Sequence, residues 1–217
     1  MTAITASTAQ PKPLPLEFFN RDPRKVARDL LGKLVIRRRG RQTLSARIVE
    51  TEAYLGKNDP AAHSASGRTP RNEVIFGPPG FAYVYFIYGN HYCLNVSCLP
   101  DGEAGGVLFR AVEPVTGLAA MARNRGVTGS ESQLDPADLH RLTNGPGKLT
   151  QALDITRAEH NGINLTDRGQ SLWLGEDNDA RPRIQRTPRI GITKATDLKL
   201  RYIVPGNPFV SGPQGSR

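Results

Sequence analysis

In the stretch VETEAYLG, residues 49–56, Glu50, Glu52 and Tyr54 are spaced two apart. Side chains on an extended strand alternate between faces, so these three share one face, with neighbours roughly 6.5–7 Å apart. Val49, Thr51, Ala53 and Leu55 take the other face, which suits a core. Two carboxylates at this spacing admit three chemistries. They could form a general acid–base pair, ligate a metal with His63, or make a solvent-facing polar surface with weak ion pairs. A tyrosine beside a glutamate in a basic chain points away from the third, because planar aromatics serve as stacking platforms in nucleic-acid proteins.

A second group lies in FAYVYFIYGNHYCLNVSC, residues 81–98. Alternation places Tyr83 and Tyr85 on one side and Val84 and Phe86 on the other. Tyr85 is placed to line a pocket, and Tyr88, just before a turn at Gly89-Asn90, to project from a hairpin tip as a wedge between base steps. On the return strand His91, Cys93, Asn95 and Ser97 share a face opposed to Tyr92, Leu94 and Val96, which leaves Asn95 either a satisfied buried amide or a reader of a ligand edge. Packing in a β-sheet core is the competing account of the tyrosines.

Arg68 and Arg71 sit in the glycine-hinged loop SGRTPRN, and Lys148 in NGPGKLTQ opens a helix in a shape that can hold phosphate. The latter is no Walker motif, since its first glycine is missing and Leu149 follows the Gly-Lys pair. Seven Lys and Arg residues fall between 181 and 201 against the single acid Asp197, which reads as a solvated basic face. Cys93 and Cys98 match neither zinc spacing nor the zinc-deaminase pattern, and no Gly-x-Ser-x-Gly elbow occurs.

These groups must be held by a fold. The 217 residues suffice for one well-buried domain, and no apolar run reaches the ~20 residues that span a bilayer. The N-terminus lacks the basic head and apolar core of a secretory signal, so a cytosolic or nucleoid-associated protein with reduced thiols is expected. A net charge of +9 favours a polyanionic partner, most often nucleic acid. Residues 1–14 read as a disordered tail, 15–212 as the domain, and 213–217 as a flexible end. Within the domain, Asn20 or Asp22 caps a helix that Pro23 opens and Gly32 ends, and residues 33–40 and 42–56 read as two strands around a turn at Arg39 to Gln42. Residues 57–80 form a loop long enough to be functional. The hairpin, a strand around GGVLFRAVEP and helices near residues 116–126, 136–142 and 147–155 follow, with short strands at 171–176, 183–192 and 200–211. The sum is one α+β domain with a curved, mostly antiparallel sheet, peripheral helices and a protruding hairpin.

Taken in order over residues 15–212, RIVETEAYLG, DPAAHSASGRTPRN, YVYFIYGNHYCLNVS, VLFRAVEP, GPGKLTQAL and VPGNPFVS resemble the alkyladenine (3-methyladenine) DNA glycosylase family. The resemblance implies an α+β DNA-repair enzyme whose β-hairpin enters the minor groove and which excises alkylated purines from double-stranded DNA without metal or cofactor, acting as a monomer. It implies that Glu52 activates the water that attacks C1′ of a flipped nucleotide and that Arg110 helps hold that water and carboxylate. Tyr54, His63 and Tyr85 would then wall the base pocket, Asn95 would crowd the 2-amino group of normal guanine, and Tyr88 would intercalate. Arg68, Arg71 and Lys148 would contact phosphates. Glu50 receives no part. Expected substrates are 3-methyladenine and 7-methylguanine, with hypoxanthine and ethenoadenine as neutral extensions. No lysine falls within the pocket motifs, so no lyase step is expected. The chain departs from the family pattern at the polar tip Gly89-Asn90-His91 and in a SASGRTPRN loop one residue short. A non-catalytic module that stacks on bases, and a metal-dependent nuclease using Glu50, Glu52 and His63, are the competing functions.

Overall fold

The structure, a computed structural model, describes residues 11–87, 89, 91–127, 135–177 and 182–212. In chain order its elements are helices α1 (Leu16–Phe19) and α2 (Pro23–Asp29), strands β1 (Leu34–Arg39), β2 (Gln42–Tyr54), β3 (Ala82–Ile87), β4 (His91–Ser97) and β5 (Gly106–Thr116), helices α3 (Leu118–Asn124), α4 (Pro136–Arg141), α5 (Pro146–Ala152) and α6 (Arg157–His160), and strands β6 (Leu172–Gly175), β7 (Gln185–Thr187) and β8 (Arg201–Ile203). Single 3₁₀ turns at Gly56–Asn58 and Glu73–Phe76 punctuate the long loop between β2 and β3.

The strands form one curled antiparallel sheet of eight, in the order β3-β4-β5-β2-β1-β6, with β8 pairing both β2 and β7. The length of β2 explains the arrangement. Gln42–Arg47 pairs with β1, Glu50–Glu52 with β8, and the other edge runs along β5 from Ser45 to Tyr54. On one face, Ile48 and Ala53 of β2, Val84, Leu94, Val96 and Phe109 pack against Val26 and Ala27 of α2, Met121 of α3 and Leu149 of α5 to form the main core. Asp22 starts α2 by accepting the Arg24 N–H at 2.8 Å, with Pro23 supplying the fixed φ of a first turn. Thr51 fastens that helix to the sheet by donating to the Ala27 carbonyl at 2.8 Å. Among the described residues no helix is long and apolar enough to cross a membrane.

The β2–β5 register shifts once between Ser45 and Ala46, where Val115 is extra on β5, and twice more beside the glutamates. Ile48 pairs with Val112 and Glu50 with Ala111, then Thr51 with Phe109, so one residue is extra on β2 (Val49) and one on β5 (Arg110). Such paired bulges put two consecutive side chains on one face. Val49, expected in the main core, therefore packs with Ala111 and Phe209 instead.

The hairpin alternates as expected, with Tyr83 and Tyr85 away from the main core and Val84 in it. Its connection is longer than a Gly89-Asn90 turn, because Ile87 pairs with His91 and residues 88–90 lie between them. Tyr88 and Asn90 lie outside the described residues. Contacts also begin before residue 15: Pro13 bridges to Gly175 and Leu14 is wholly buried, while residues 1–10 and 213–217 lie outside the described part. The strand expected over 183–192 is confined to β7; beyond it Arg189 turns inward while Pro188 and Ile190 stay exposed.

Gly56 fixes how β2 leaves the sheet. Its φ is +76°, and a Cβ there would lie 1.8 Å from the Ala104 carbonyl oxygen. Gly56→Ala is expected to cost about 2–4 kcal/mol, from left-handed backbone strain plus displacement of the Ala104 peptide. Urea unfolding of the two proteins measures it, and an unchanged midpoint would contradict the close approach.

Candidate active site

On the sheet face opposite the main core lies a cavity of about 390 Å³. Strands β2, β3 and β4 supply Tyr54, Tyr85 and Asn95, one loop supplies Ala62 and His63, and a second loop, residues 191–194, closes the far side. The His63 ring meets Tyr85 edge-to-face at 4.5 Å, and its Nδ1 shares a hydrogen bond of 3.1 Å with the Tyr83 hydroxyl. Burial, reinforced by the Arg71 charge, holds the His63 pKa below its ordinary value, so the imidazole stays neutral near pH 7. Asn95 donates to the Tyr83 carbonyl at 3.1 Å, which fixes its amide at the cavity wall.

Behind Tyr54 lies Glu52, fully buried. Its Oε1 accepts the Ile190 N–H at 2.8 Å and lies 3.3 Å from Arg110 Nη1, and its Oε2 accepts the Tyr54 hydroxyl at 2.9 Å. Burial raises the Glu52 pKa, opposed by Arg110, the Ile190 amide and the Tyr54 hydroxyl, all of which favour the carboxylate. Burial and the Glu52 charge push the Tyr54 phenol up in turn, which keeps it a donor. A carboxylate that attracts only donors is arranged as an ionised acceptor.

Glu50 is not a solvent-facing neighbour. It is completely buried, and its Oε1 accepts from Arg110 Nε at 3.0 Å, Arg201 Nε at 2.6 Å and Ser211 Oγ at 2.8 Å, while Oε2 accepts the Ser211 N–H at 2.6 Å. The bulge on β5 aims Arg110 between the two glutamates, so one guanidinium serves both. With every partner a donor, neither carboxylate presents a shared face with His63 to a cation. Among the described residues no three His, Cys, Asp or Glu side chains converge as a metal site.

The structure thus gathers Glu52, Arg110, Tyr54, His63, Tyr85 and Asn95 at or directly behind one cavity. Arg71 lies beside it, with its guanidinium 5.7 Å from the Tyr85 ring centroid and bonded to the Phe86 carbonyl at 3.3 Å. Arg68 is instead on the surface, paired with Glu73 at 2.8 Å, and Lys148 donates to Asn144 at 2.8 Å on α5. Tyr88 lies outside the described residues. Two expectations change. The basic stretch 181–201 is not a uniformly solvated face, since Arg189 and Arg201 turn inward to Asp59 and Glu50, carboxylates distant in sequence. And a lysine does reach the cavity: Lys194 lines it from the downstream loop. The inward arginines Arg189 and Arg201, the Ile190 amide and Lys194 were not legible as site groups.

A carboxylate and an arginine lie directly behind an aromatic cavity on a curled sheet, in a chain of net charge +9. The profile of the family described as methylpurine-DNA glycosylase (MPG) matches residues 17–208. A Koribacter versatilis protein named "Putative 3-methyladenine DNA glycosylase" is 58% identical over 207 residues, covering 95% of this chain and 97% of its own. Proteins of the same name from Methanoculleus marisnigri and Burkholderia lata are 48% and 46% identical, with 91% and 92% of this chain and 98% and 91% of theirs covered. The chain belongs to the methylpurine-DNA glycosylase family. It is accordingly a DNA glycosylase of base-excision repair, with DNA as its substrate.

Proposed function

We propose that this chain, acting as a monomer on double-stranded DNA, flips alkylated purines into the aromatic cavity and hydrolyses the N-glycosidic bond with a water activated by Glu52. The placement of Glu52 carries the reading. A carboxylate accepts about four hydrogen bonds. Three donors surround Glu52, which favours its anion, and one of them, the Tyr54 hydroxyl, belongs to a residue of the cavity wall. N-glycosidic cleavage develops positive charge on the sugar, which a buried carboxylate stabilises while it takes the water's proton. Arg110 orients that carboxylate and sets its charge.

The cavity suits cationic purines. Tyr54 and Tyr85 line it, aromatic rings attract a cationic 3- or 7-alkylated base, and such a base departs without needing a proton. Neutral lesions such as hypoxanthine or ethenoadenine need a proton donor at the leaving group and are slower substrates. Asn95, pinned at the wall, crowds the 2-amino group of guanine. Arg71 beside the cavity, with Arg68 and Lys148 further out, engages phosphates, and Tyr88 fills the space the flipped base leaves. The net charge of +9 supports residence on DNA in the nucleoid.

No lyase step is proposed. Amine nucleophiles are activated by desolvation or a neighbouring cation, and Lys194 is solvent-exposed at the rim. Incubation of the protein with methylated duplex DNA in EDTA is the test. Free 3-methyladenine and 7-methylguanine are expected by chromatography, with strand breaks only after alkali. Absence of free base would leave a non-catalytic stacking module. Strand cleavage without alkali, trapped as a borohydride adduct lost in Lys194→Ala, would refute the hydrolytic assignment.

A further inference from the structure

We propose that the buried Asp59–Arg189 ion pair is a positioning clamp that joins the two loops walling the base cavity and, through them, fixes Glu52 and Tyr54 in their working geometry. The proposal rests on the reading of Glu52 as the base. Arg189 and Asp59 are both buried, and the guanidinium fork meets the carboxylate in two bonds, Nη1–Oδ2 at 2.5 Å and Nη2–Oδ1 at 2.8 Å. Burial alone would raise the Asp59 pKa; the Arg189 fork and the N–H groups of Leu55 and Ala61 overcome it and hold the carboxyl ionised.

Each partner is wired into a different part of the site. Asp59 accepts the Leu55 N–H and the Ala61 N–H, both at 3.1 Å. It therefore shapes the turn that leaves Tyr54 and delivers Ala62 and His63 to the cavity. Arg189 donates from Nη1 to the Ala53 carbonyl at 3.0 Å, between Glu52 and Tyr54 in sequence, and its guanidinium lies 4.6 Å from the centroid of the Tyr54 ring. The next residue, Ile190, gives its N–H to Glu52. Gly191 and Ile192 follow directly onto the opposite cavity wall. One bidentate contact thereby sets the wall residue, the base and both loops.

A buried ion pair is weak as a device for stability, because desolvation offsets most of the attraction, whereas its two-pronged geometry is well suited to fixing a position. The consequence for Glu52 has a definite sign. A base works as its anion, so the rate rises with pH through its pKa. The groups facing Glu52 are Arg110 of β5, Tyr54 and Glu50 of β2, the Ile190 amide and Arg189 of the loop, Cys93 of β4, and Arg201 of β8, which is committed to Glu50. Of these only the Ile190 amide is held directly by the clamp as a donor to the carboxylate. Its withdrawal removes a bond that favours the anion, so the acid limb moves to higher pH.

The test uses Arg189→Lys, which keeps the charge but loses the fork, and Asp59→Asn, which keeps the volume. Single-turnover release of base from a duplex with one 7-methylguanine is measured against pH. Affinity for a duplex with a tetrahydrofuran abasic analogue is measured beside it, at temperatures below each variant's unfolding transition. Both variants are expected to bind the analogue duplex within about threefold of wild type and to release base about ten- to a hundredfold more slowly. The acid limb of Arg189→Lys, which conserves charge, should lie about one pH unit higher. A limb that stays in place in Arg189→Lys, or a wild-type rate of release in Asp59→Asn if only that variant folds, overturns the clamp, since a purely structural pair would lower stability without moving either. Failure of wild type to release base would instead strike the proposed function and leave the geometry of the clamp standing.

Discussion

Glu52→Gln is expected to slow base release by about 10²–10⁴-fold while leaving the fold and the affinity for DNA close to wild type. The environment of Glu52 accepts an amide. Glutamine can keep its carbonyl oxygen toward the Ile190 N–H and Arg110, the two donors that meet Oε1. Its NH₂ then faces the Tyr54 oxygen, and a hydroxyl is able to accept as well as donate, so that bond reverses and survives. Arg110 also keeps its bond to Glu50. The variant therefore removes one charge and one basic site while keeping a partner for each group that now meets Glu52. Free-base release from 7-methylguanine duplex under single turnover, with analogue-duplex affinity and a thermal melt alongside, measures the separation. Full activity in the variant would remove Glu52 as the base.

Much of this arrangement was legible because β-sheets impose a period of two. That period placed Tyr83, Tyr85, Cys93 and Asn95 on the face opposite Val84 and Leu94. It also marked Glu52 and Tyr54 as partners, and the unusual length of the 57–80 loop pointed to the segment that delivers His63. What alternation misses is its own interruption. The extra residues Val49 and Arg110 shift the face of their neighbours, and nothing local in VETEAYLG or VLFRA announces a bulge. Long-range charge pairing is equally silent. Arg189 and Arg201 look like members of a solvated basic run, yet each is drawn inward by a carboxylate more than a hundred residues upstream. Lys194 reaches the cavity for the same reason, since the loop that carries it follows Arg189.

Glu50→Gln, the same chemical change two residues earlier, is expected to destabilise the protein by about 3–5 kcal/mol. That loss corresponds to a fall in Tm of roughly 6–20 °C for a chain of this size. The difference between the two glutamates lies in what surrounds them. Oε1 of Glu50 receives Arg110, Arg201 and the Ser211 hydroxyl, and Oε2 receives the Ser211 N–H. An amide has no good orientation there. With its oxygen toward the arginines, its NH₂ points at a backbone N–H that can only donate; flipped, its NH₂ points at two guanidinium groups. Either way two buried cations lose their only fully shared anion, and Arg110 is left to Glu52 alone. The C-terminal stretch at Ser211 loses its anchor to β2 in the same step. Residual base release at a temperature well below the lowered Tm should exceed that of Glu52→Gln, because the base and the cavity wall remain. Denaturant unfolding and single-turnover release on the same preparation decide it. A wild-type Tm combined with lost excision would show that Glu50 acts in the reaction itself, and not by holding Arg110, Arg201 and Ser211 together beneath it.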